Sequence, residues 1–364
     1  MRCEQMHLAS GGPAVVDTVP PSPSVESVLR EARSLLAPAL RDAIDGLPGP
    51  EARIARYHRG WCEADGSEVP SSGDDVRGGK AVRPALVFLA ARAVGGLPES
   101  AVPGAVAVEL VHDFSLLHDD VIDGDPLRRH RPAAWTVYGV PSAVLAGDAL
   151  LVQALRVLEA APEPLADAAV RETMAMLADL TFGQSQDVAF EKVGSVGVRQ
   201  YVDMAAGKTG ALMGCACALG GILAGADRER VVGLREFGRC LGVAFQCVDD
   251  LLGIWGDSSR SGKPVGADLA ARKKSLPVVA ALADEQHPAG RGLAALYAQQ
   301  APLSEAEITL AADLVEEAGG REATEQEVTR QTAAAMRALS RARPTAEVYR
   351  QMHELAMLLT RRDR

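Results

Sequence analysis

Residues 118 to 131 read HDDVIDGDPLRRHR, a span that gathers four carboxylates, three arginines and two histidines in an otherwise apolar, alanine-rich region. Asp119 and Asp123 stand at positions i and i+4, so on a helix their side chains lie on one face, one turn apart. Two oxygen ligands placed in this way suit a hard divalent cation such as Mg²⁺, which fills its other positions with water or phosphate. The preceding stretch, GAVAVELVHDFSLL, is apolar enough to be buried, and buried like charges need counterions. The span therefore predicts a metal site at the end of an internal helix.

A second acidic pair, Asp249 and Asp250, ends another apolar helical stretch, AFQCVDDLLGIWGD. Two carboxylate sites facing each other across a helix bundle could hold several metal ions between them. Such a clamp fits a diphosphate, whose oxygens bridge metals, and it would stabilise the negative charge that develops on a diphosphate leaving group.

Basic residues accompany the two acidic pairs, most of them beside glycine or at a loop-to-helix border. Any one of them alone could be an exposed, solvated charge. Together with two aspartate sites, they predict a pocket for two phosphorylated substrates. They are Lys80, Arg83, Arg128, Arg129, Lys208, Lys263 and Lys273.

The elements that must position these residues are helices. The 364-residue chain is 48% hydrophobic but only 4% aromatic, and apolar residues recur at helical spacing without any strongly alternating strand pattern. We therefore expect an all-α chain, with one helical domain over residues 24–364 and Ser24 as the first N-cap. Residues 1–23, which are rich in proline and small residues, are predicted to be a disordered extension, either a solvated tail or a docking segment for an unknown partner.

Charge, cysteine content and hydropathy exclude several classes of protein. The net charge of -10 argues against a nucleic-acid-binding protein. Six cysteines without CxxC spacing indicate reduced core thiols, and the N-terminus lacks the apolar run of a signal peptide, so a cytoplasmic location is expected. Residues 209–226 are uncharged but rich in glycine and alanine, which favours a close-packed internal helix over a transmembrane segment.

Seven motifs between Gly78 and Pro277 occur in the order found in polyprenyl diphosphate synthases, and the chain resembles this trans-isoprenyl elongating family. The motifs are GGKAVRP, ELVHDFSLLHDDVIDGDPLRR, AGDALL, FGQSQD, GKTG, FQCVDD and GKPVGADLAARKKSLP. The resemblance implies one large helix bundle around a central cavity, the isoprenoid synthase type I fold, and a homodimer. It also implies isopentenyl diphosphate and an allylic diphosphate (dimethylallyl, geranyl or farnesyl) as substrates, with about three Mg²⁺ ions per site.

The resemblance assigns a role to each candidate residue. Metal binding falls to Asp119, Asp120, Asp123, Asp249 and Asp250. The residues expected to bind the diphosphate of isopentenyl diphosphate are Lys80, Arg83, His112 and Arg129. Those expected to bind the allylic diphosphate are Arg128, Lys208, Lys273 and Lys263. Positions near the reacting carbons fall to Thr209 and Gln246, and the cavity wall to Gln184 and Asp187. The residues expected to carry catalysis are Asp119, Asp123, Lys208, Thr209, Gln246 and Asp249.

The implied reaction is ionisation, condensation and elimination, which needs no side-chain nucleophile. Cationic groups help the allylic diphosphate to leave, and the double bond of isopentenyl diphosphate attacks the resulting carbocation. A proton is then lost to the departed diphosphate, because aspartates bound to metal are poor bases. The cavity below the aspartates should be apolar and dry, which protects the cation from water.

Four positions depart from the common family pattern. Ala81 replaces a frequent arginine, His130 a glycine, Ala133 a threonine and Gly253 a third aspartate. Asp249, Gly253 and Asp257 also have the spacing of the second metal motif in class I terpene cyclases, so a cyclase is one alternative. A non-catalytic subunit of a heteromeric synthase is another. The retained isopentenyl site and the intact first motif favour an elongating enzyme.

In the resembled family, the residues four and five places before the first aspartate help to set product length. Here they are Ser115 and Phe114. In that family both residues are expected to face the cavity. An ideal helix places Ser115 about 40° and Phe114 about 140° from Asp119, so the expectation conflicts partly with ideal geometry for Phe114. A lone phenylalanine at this place resembles synthases that make the C20 product geranylgeranyl diphosphate. Farnesyl diphosphate, C15, is the alternative product, and ordinary core packing is the alternative role for Phe114.

Overall fold

The computed structural model describes residues 24–69, 81–256 and 266–361. The described residues are all-α, as predicted, apart from one isolated β-bridge between Cys62 and Glu68 and a short hairpin of two strands, β1 (Leu127–Arg128) and β2 (Arg131–Pro132). The first eight helices are α1 (Val25–Asp45), α2 (Gly49–His58), α3 (Val82–Ala93), α4 (Val102–Ile122), α5 (Ala134–Tyr138), α6 (Val140–Glu159), α7 (Leu165–Lys192) and α8 (Val198–Ala205). The next eight are α9 (Ala211–Leu223), α10 (Arg228–Trp255), α11 (Ala267–Ala270), α12 (Leu276–Leu282), α13 (Pro288–Tyr297), α14 (Glu305–Glu317), α15 (Gly320–Arg341) and α16 (Ala346–Thr360).

Local signals in the sequence set several helix ends. The Ser24 side chain accepts a hydrogen bond from the backbone N–H of Ser27, as expected for the N-cap of α1. Ser304 and Glu307 form the reciprocal capping box that opens α14. The predicted extension, residues 1–23, lies outside the described residues.

Helix α9 lies at the centre of the bundle, where it packs against α3, α4, α7 and α10. All of its residues are buried, which agrees with the internal helix expected over residues 209–226. Glycines of α9 and of its neighbour α10 allow this close approach. A Cβ at Gly220 of α9 would overlap the backbone of α3, and a Cβ at Gly238 of α10 would overlap the backbone of α9. The five described cysteines are buried free thiols, as predicted.

Three helical segments of the described chain are long and apolar enough to cross a membrane, judged by length and composition alone. Two of them, Pro98–Ile122 and Val198–Leu223, are 61% and 78% buried within the fold. The third, α6, is only 28% buried. The outer face of α6 therefore exposes apolar side chains that the rest of the described chain does not cover.

Candidate active site

The first aspartate motif lies at the C-terminal end of α4, where the sequence places it. Asp119 is in the last turn and Asp123 is the C-cap, and the Asp123 backbone N–H donates to the Asp119 carbonyl at 2.8 Å. Both side chains therefore lie on one face of the helix end. Burial raises the pKa of Asp119 to about 6, with Lys208 opposing the shift. A carboxylate desolvated in this way favours a cation beside it.

Asp120 points in a different direction from its two neighbours. Its side chain is buried and accepts a hydrogen bond from Arg128 Nε at 2.9 Å, in an ion pair that also involves the guanidinium Nη2. Burial raises the pKa of Asp120, and Arg128 opposes the shift. The pair ties the end of α4 to the β hairpin, so the structure gives Asp120 and Arg128 a positioning contact beside their predicted roles.

The two aspartates of the second motif also differ in burial and in hydrogen bonding. Asp249 is half-buried on α10, whereas the buried Asp250 accepts hydrogen bonds from Tyr201 Oη, from the Leu276 backbone N–H at 2.9 Å and from Gln246 Nε2 at 3.1 Å. Burial raises the pKa of Asp250 to about 6, and these donors oppose the shift. Asp250 thus joins α8, α10 and α12, while Asp249 remains the more accessible carboxylate of the pair.

Lys208 is brought to the site by a single π-helical turn, Ala206–Gly210. Two glycines allow this turn to touch α7: a Cβ at Gly183 would overlap the Lys208 backbone, and a Cβ at Gly207 would lie 2.8 Å from the Asp179 carbonyl. The Lys208 ammonium therefore reaches Asp187 Oδ2 at 2.5 Å. Gly183 of FGQSQD and Gly207 of GKTG make this contact possible, whereas Gly210 of GKTG makes room for α10.

Lys273 lies within electrostatic range of both aspartate motifs. Burial disfavours its charged ammonium, but four carboxylates outweigh that cost and raise its pKa. In decreasing order of effect they belong to Asp268, Asp187, Asp250 and Asp123. One ammonium group thus interacts with both motifs and with α7, which is the arrangement expected around a bridging anion.

Thr209 and Gln246 form a hydrogen-bonded pair with a fixed direction. An ionised carboxylate only accepts, so Gln246 presents its Nε2 to Asp250 and its Oε1 to Thr209, whose hydroxyl donates at 2.7 Å. Because the hydroxyl hydrogen is committed, the lone pairs of Thr209 Oγ1 point away from Gln246. An oxygen oriented in this way can stabilise a positive charge.

A second cationic group lies between α3 and α4. Arg83 Nη1 and His112 Nε2 are 3.1 Å apart, and Arg83 Nε is buried without a hydrogen-bond partner. Burial lowers the pKa of His112 well below its usual value, and Arg83 and Arg129 add to the shift, so the imidazole is neutral. Lys80 and Lys263, assigned to the two diphosphates, lie outside the described residues, as does Asp257.

The hairpin explains two departures from the family pattern. Arg129 and His130 occupy its turn with φ angles of 52° and 62°, a conformation that glycine adopts without strain, so glycine is the easier residue at 130. Ala133 is the N-cap of α5 and makes no side-chain capping bond, whereas a threonine there would cap the helix. Ala81 also has a positive φ, 53°, and is buried at the N-cap of α3.

The missing third aspartate of the second motif is replaced in space by another carboxylate. A Cβ at Gly253 would overlap the carboxylate of Asp268, which reaches this point from α11. Gly253 therefore makes room for Asp268 one helical turn beyond Asp249. The GKPVGADL motif alone did not identify Asp268, because its proximity to residue 253 is a contact between two separate helices, α10 and α11.

The two predicted length-setting residues have different surroundings. The Phe114 ring packs edge-to-face on His118, with centroids 4.7 Å apart, and a Cβ at Gly147 of α6 would lie 3.5 Å from it. Both residues are half-buried, and Ser115 Oγ donates to the His112 carbonyl at 2.8 Å. Phe114 thus lies one to two turns below the aspartates, against α6.

Comparison with known proteins assigns the family. The family model described as polyprenyl synthetase matches residues 73–315, about two thirds of the chain. The chain belongs to the polyprenyl synthetase family. It is a trans-prenyltransferase, and this assignment favours an enzyme of chain elongation over the cyclase and the non-catalytic subunit. Members of the family use divalent metal ions.

Two relatives from Mycobacterium tuberculosis span nearly the whole chain. A geranylgeranyl diphosphate synthase is 45% identical over 339 residues, covering 93% of this chain and 94% of the relative. A (2E,6E)-farnesyl diphosphate synthase is 42% identical over 344 residues, covering 91% and 94%. Because relatives with different products are almost equally similar, product length must be argued from the residues around the aspartate motifs.

Solved structures agree with the fold. A polyprenyl synthetase from Streptomyces coelicolor superposes with a TM-score of 0.87 at 44% identity, covering 92% of this chain and 99% of that one. A polyprenyl synthase from Caulobacter crescentus, solved with calcium and isoprenyl diphosphate, superposes with a TM-score of 0.76 at 27% identity. It covers 94% of this chain and 99% of that one.

If Asp268 supplies the missing carboxylate, Asp268→Asn should raise the divalent-cation concentration needed for half-maximal activity by about 10-fold or more, as for other changes beside metal ligands. Gly253→Ala should act in the same direction, because its Cβ displaces the Asp268 carboxylate. Metal titrations of prenyltransferase activity measure both effects. Asp313→Asn, an exposed change on α14, is the matched control. An unchanged metal requirement in both variants would show that Asp268 has no part in the site.

Proposed function

We propose that the chain condenses isopentenyl diphosphate with allylic diphosphates, using Mg²⁺, to make a trans-polyprenyl diphosphate of C20 length, geranylgeranyl diphosphate. The observation that carries this proposal is the hydrogen-bonded chain Thr209–Gln246–Asp250, which links the second aspartate motif to the turn that carries Lys208, beside a separate cationic group at Arg83 and His112. Lys273 lies within electrostatic range of both motifs. One region suits a metal-bound diphosphate and the other suits a diphosphate held by cations alone. Two such regions match a reaction between two diphosphate substrates.

The acidic region fits Mg²⁺. Asp119 and Asp123 offer oxygen ligands on one helix face, and Asp249 and Asp268 offer two more from α10 and α11. In the described part of the chain, no three potential ligands are close enough to form a complete metal site. Mg²⁺ commonly takes one or two carboxylates and completes its coordination with substrate phosphates. Bound there, Mg²⁺ would neutralise the leaving diphosphate.

The side chains of this chain have distinct tasks in that reaction. Lys208 and Lys273 hold oxygens of the allylic diphosphate and stabilise it as it leaves. The Thr209 oxygen faces the allylic carbons as positive charge develops there. Arg83 and Arg129, with neutral His112 donating a hydrogen bond, hold the diphosphate of isopentenyl diphosphate so that its double bond can attack. The departed diphosphate accepts the final proton.

The proposal of a C20 product rests on Phe114. The growing chain extends from the aspartates towards α6, where the Phe114 ring is fixed by His118 and has Gly147 behind it. A ring in this place blocks further growth, and small Ser115 leaves room above it. The similarity to a geranylgeranyl diphosphate synthase supports this length.

We also propose that the chain forms a homodimer in the cytoplasm through the outer face of α6. Leu145 and Val152, which are 57% exposed each, are seven residues apart and so lie on one face of this helix. The adjoining α7 exposes Met174 and Phe182. A second copy of the chain is a suitable cover, because the same apolar patch on both subunits can pair across a two-fold axis.

The direct test is incubation of the purified chain with Mg²⁺, isopentenyl diphosphate and, in separate reactions, dimethylallyl, geranyl and farnesyl diphosphates. Mass analysis of dephosphorylated products should show a ladder that ends at C20, dependent on isopentenyl diphosphate. An end at C15 would overturn the product length alone. Cyclic hydrocarbon formed without isopentenyl diphosphate would overturn the proposed reaction.

Phe114→Ala should lengthen the product beyond C20, because removing the ring opens space towards α6. Product length is measured by the same mass analysis. Phe190→Ala, which truncates a half-buried phenylalanine at the far end of α7, is the control and should leave product length unchanged. If Phe114→Ala lowered the melting temperature without changing product length, Phe114 would be an ordinary core residue.

Leu145→Glu should convert the dimer to monomer, because a buried, unpaired charge in the interface is costly. Sedimentation equilibrium measures the change in mass. Leu310→Glu, which alters an exposed leucine on α14, is the control and should remain a dimer. A monomeric wild-type chain that co-sediments with phospholipid vesicles would show instead that α6 contacts a bilayer.

A further inference from the structure

A buried charge cluster lies directly beneath the cationic group of Arg83 and His112. Arg59, which follows α2, is 4% exposed and donates through Nε to Asp113 and through Nη2 to Glu109, the latter at 2.9 Å. Asp113 and Glu109 stand at i+4 and i on α4, and they are 2% and 6% exposed. One guanidinium group thus forms ion pairs with two buried carboxylates on the same helix face.

The same two carboxylates attract the substrate-facing arginines. Burial lowers the pKa values of Arg83 and Arg129; Glu109, Asp249 and Asp113 oppose the shift of Arg83, and Asp113 and Glu109 oppose that of Arg129. The nearby His58 adds no charge, because burial and adjacent arginines lower its pKa to about 3. Three arginines and two carboxylates therefore share one poorly solvated region, in which the strength of each pairing depends on the others.

The charge balance of this cluster depends on Arg59. With Arg59 present, Asp113 and Glu109 have a guanidinium partner of their own, and Arg83 is also acted on by Asp249. Without Arg59, Asp113 and Glu109 would have only Arg83 and Arg129 as guanidinium partners within the cluster. A buried carboxylate deprived of its partner is strongly driven to find another cation.

We propose that Arg59 is a positioning residue for isopentenyl diphosphate: it binds Asp113 and Glu109, so that Arg83 and Arg129 present their guanidinium groups to the diphosphate instead of to these carboxylates. This inference rests on the proposed function, since it concerns the second diphosphate site. Arg59 itself lies below that site and acts through the carboxylates.

The role predicts a selective kinetic defect. Arg59→Met, which keeps the length of the side chain and removes its charge, should raise the KM for isopentenyl diphosphate by about 10-fold or more, as expected when one partner of a buried ion pair is lost. The KM for the allylic diphosphate and kcat at saturation should stay within about 2-fold, because no allylic-site residue changes. Arg59→Lys keeps the charge but cannot donate to both carboxylates with the same geometry. Its KM for isopentenyl diphosphate should lie between those of wild type and Arg59→Met.

The decisive variant removes the carboxylates as well. If Arg59 acts by occupying them, the triple variant Arg59→Met, Glu109→Gln, Asp113→Asn should restore the KM for isopentenyl diphosphate to within about 3-fold of wild type, because no internal anion competes for Arg83 and Arg129. The double variant Glu109→Gln, Asp113→Asn is the matched control. A purely structural role predicts no such recovery, since the triple variant lacks every original ion pair.

The same variants are titrated with inorganic diphosphate in the presence of a chelator, which reports on the cationic site without catalysis. Weaker binding by Arg59→Met, with recovery in the triple variant, would support the inference. Equal binding by wild type and Arg59→Met, or a folded triple variant that shows no recovery, would overturn it. The variants could rank in this way for inorganic diphosphate while the wild-type chain never consumes isopentenyl diphosphate. That result would refute the proposed reaction and leave the role of Arg59 supported.

Discussion

The structure depends on the cost of placing carboxylates inside an apolar helix bundle. Asp119 and Asp250 both have pKa values raised to about 6 by burial, and neither can be ionised cheaply without compensating donors or cations. For Asp250 the compensation is internal, through Tyr201, Gln246 and the Leu276 backbone. For Asp119 it comes from Lys208 and, in the proposed reaction, from metal ions that arrive with the substrate. In the proposed reaction, this difference separates carboxylates that fix the structure from carboxylates that bind metal ions.

This division recurs throughout the site. Asp120 is held by Arg128 and Asp113 by Arg59, and both carboxylates are buried. In each case a buried acid is paired with an arginine: Arg128 lies on the hairpin beside the first aspartate motif, and Arg59 lies below the group formed by Arg83 and His112. In the proposed function, these buried ion pairs orient the residues that bind substrate, as preorganised catalysis requires.

Much of this arrangement could be predicted from the sequence because it depends on local spacing. The i and i+4 positions of Asp119 and Asp123, the N-cap at Ser24 and the burial of α9 follow from helix geometry and composition. Contacts between distant segments could not be predicted in this way. The Asp268 carboxylate beside Gly253, and the pairing of Arg59 with Asp113 across more than 50 residues, need the three-dimensional path of the chain. The family motifs placed Lys208 and Thr209 near the aspartates, but the glycine contact that creates their π turn is visible only in the structure.

The central claim is that both aspartate sites bind one diphosphate through shared metal ions. The most direct measurement is a crystal structure of the chain with Mg²⁺ and geranyl S-thiolodiphosphate, an unreactive allylic analogue. The account predicts Mg²⁺ ions that join the analogue's diphosphate to Asp119 and Asp123 on one side and to Asp249 on the other, with Lys208 and Lys273 contacting its oxygens. A diphosphate bound through the first aspartate motif alone, with Asp249 and Asp268 making no metal contact, would contradict it.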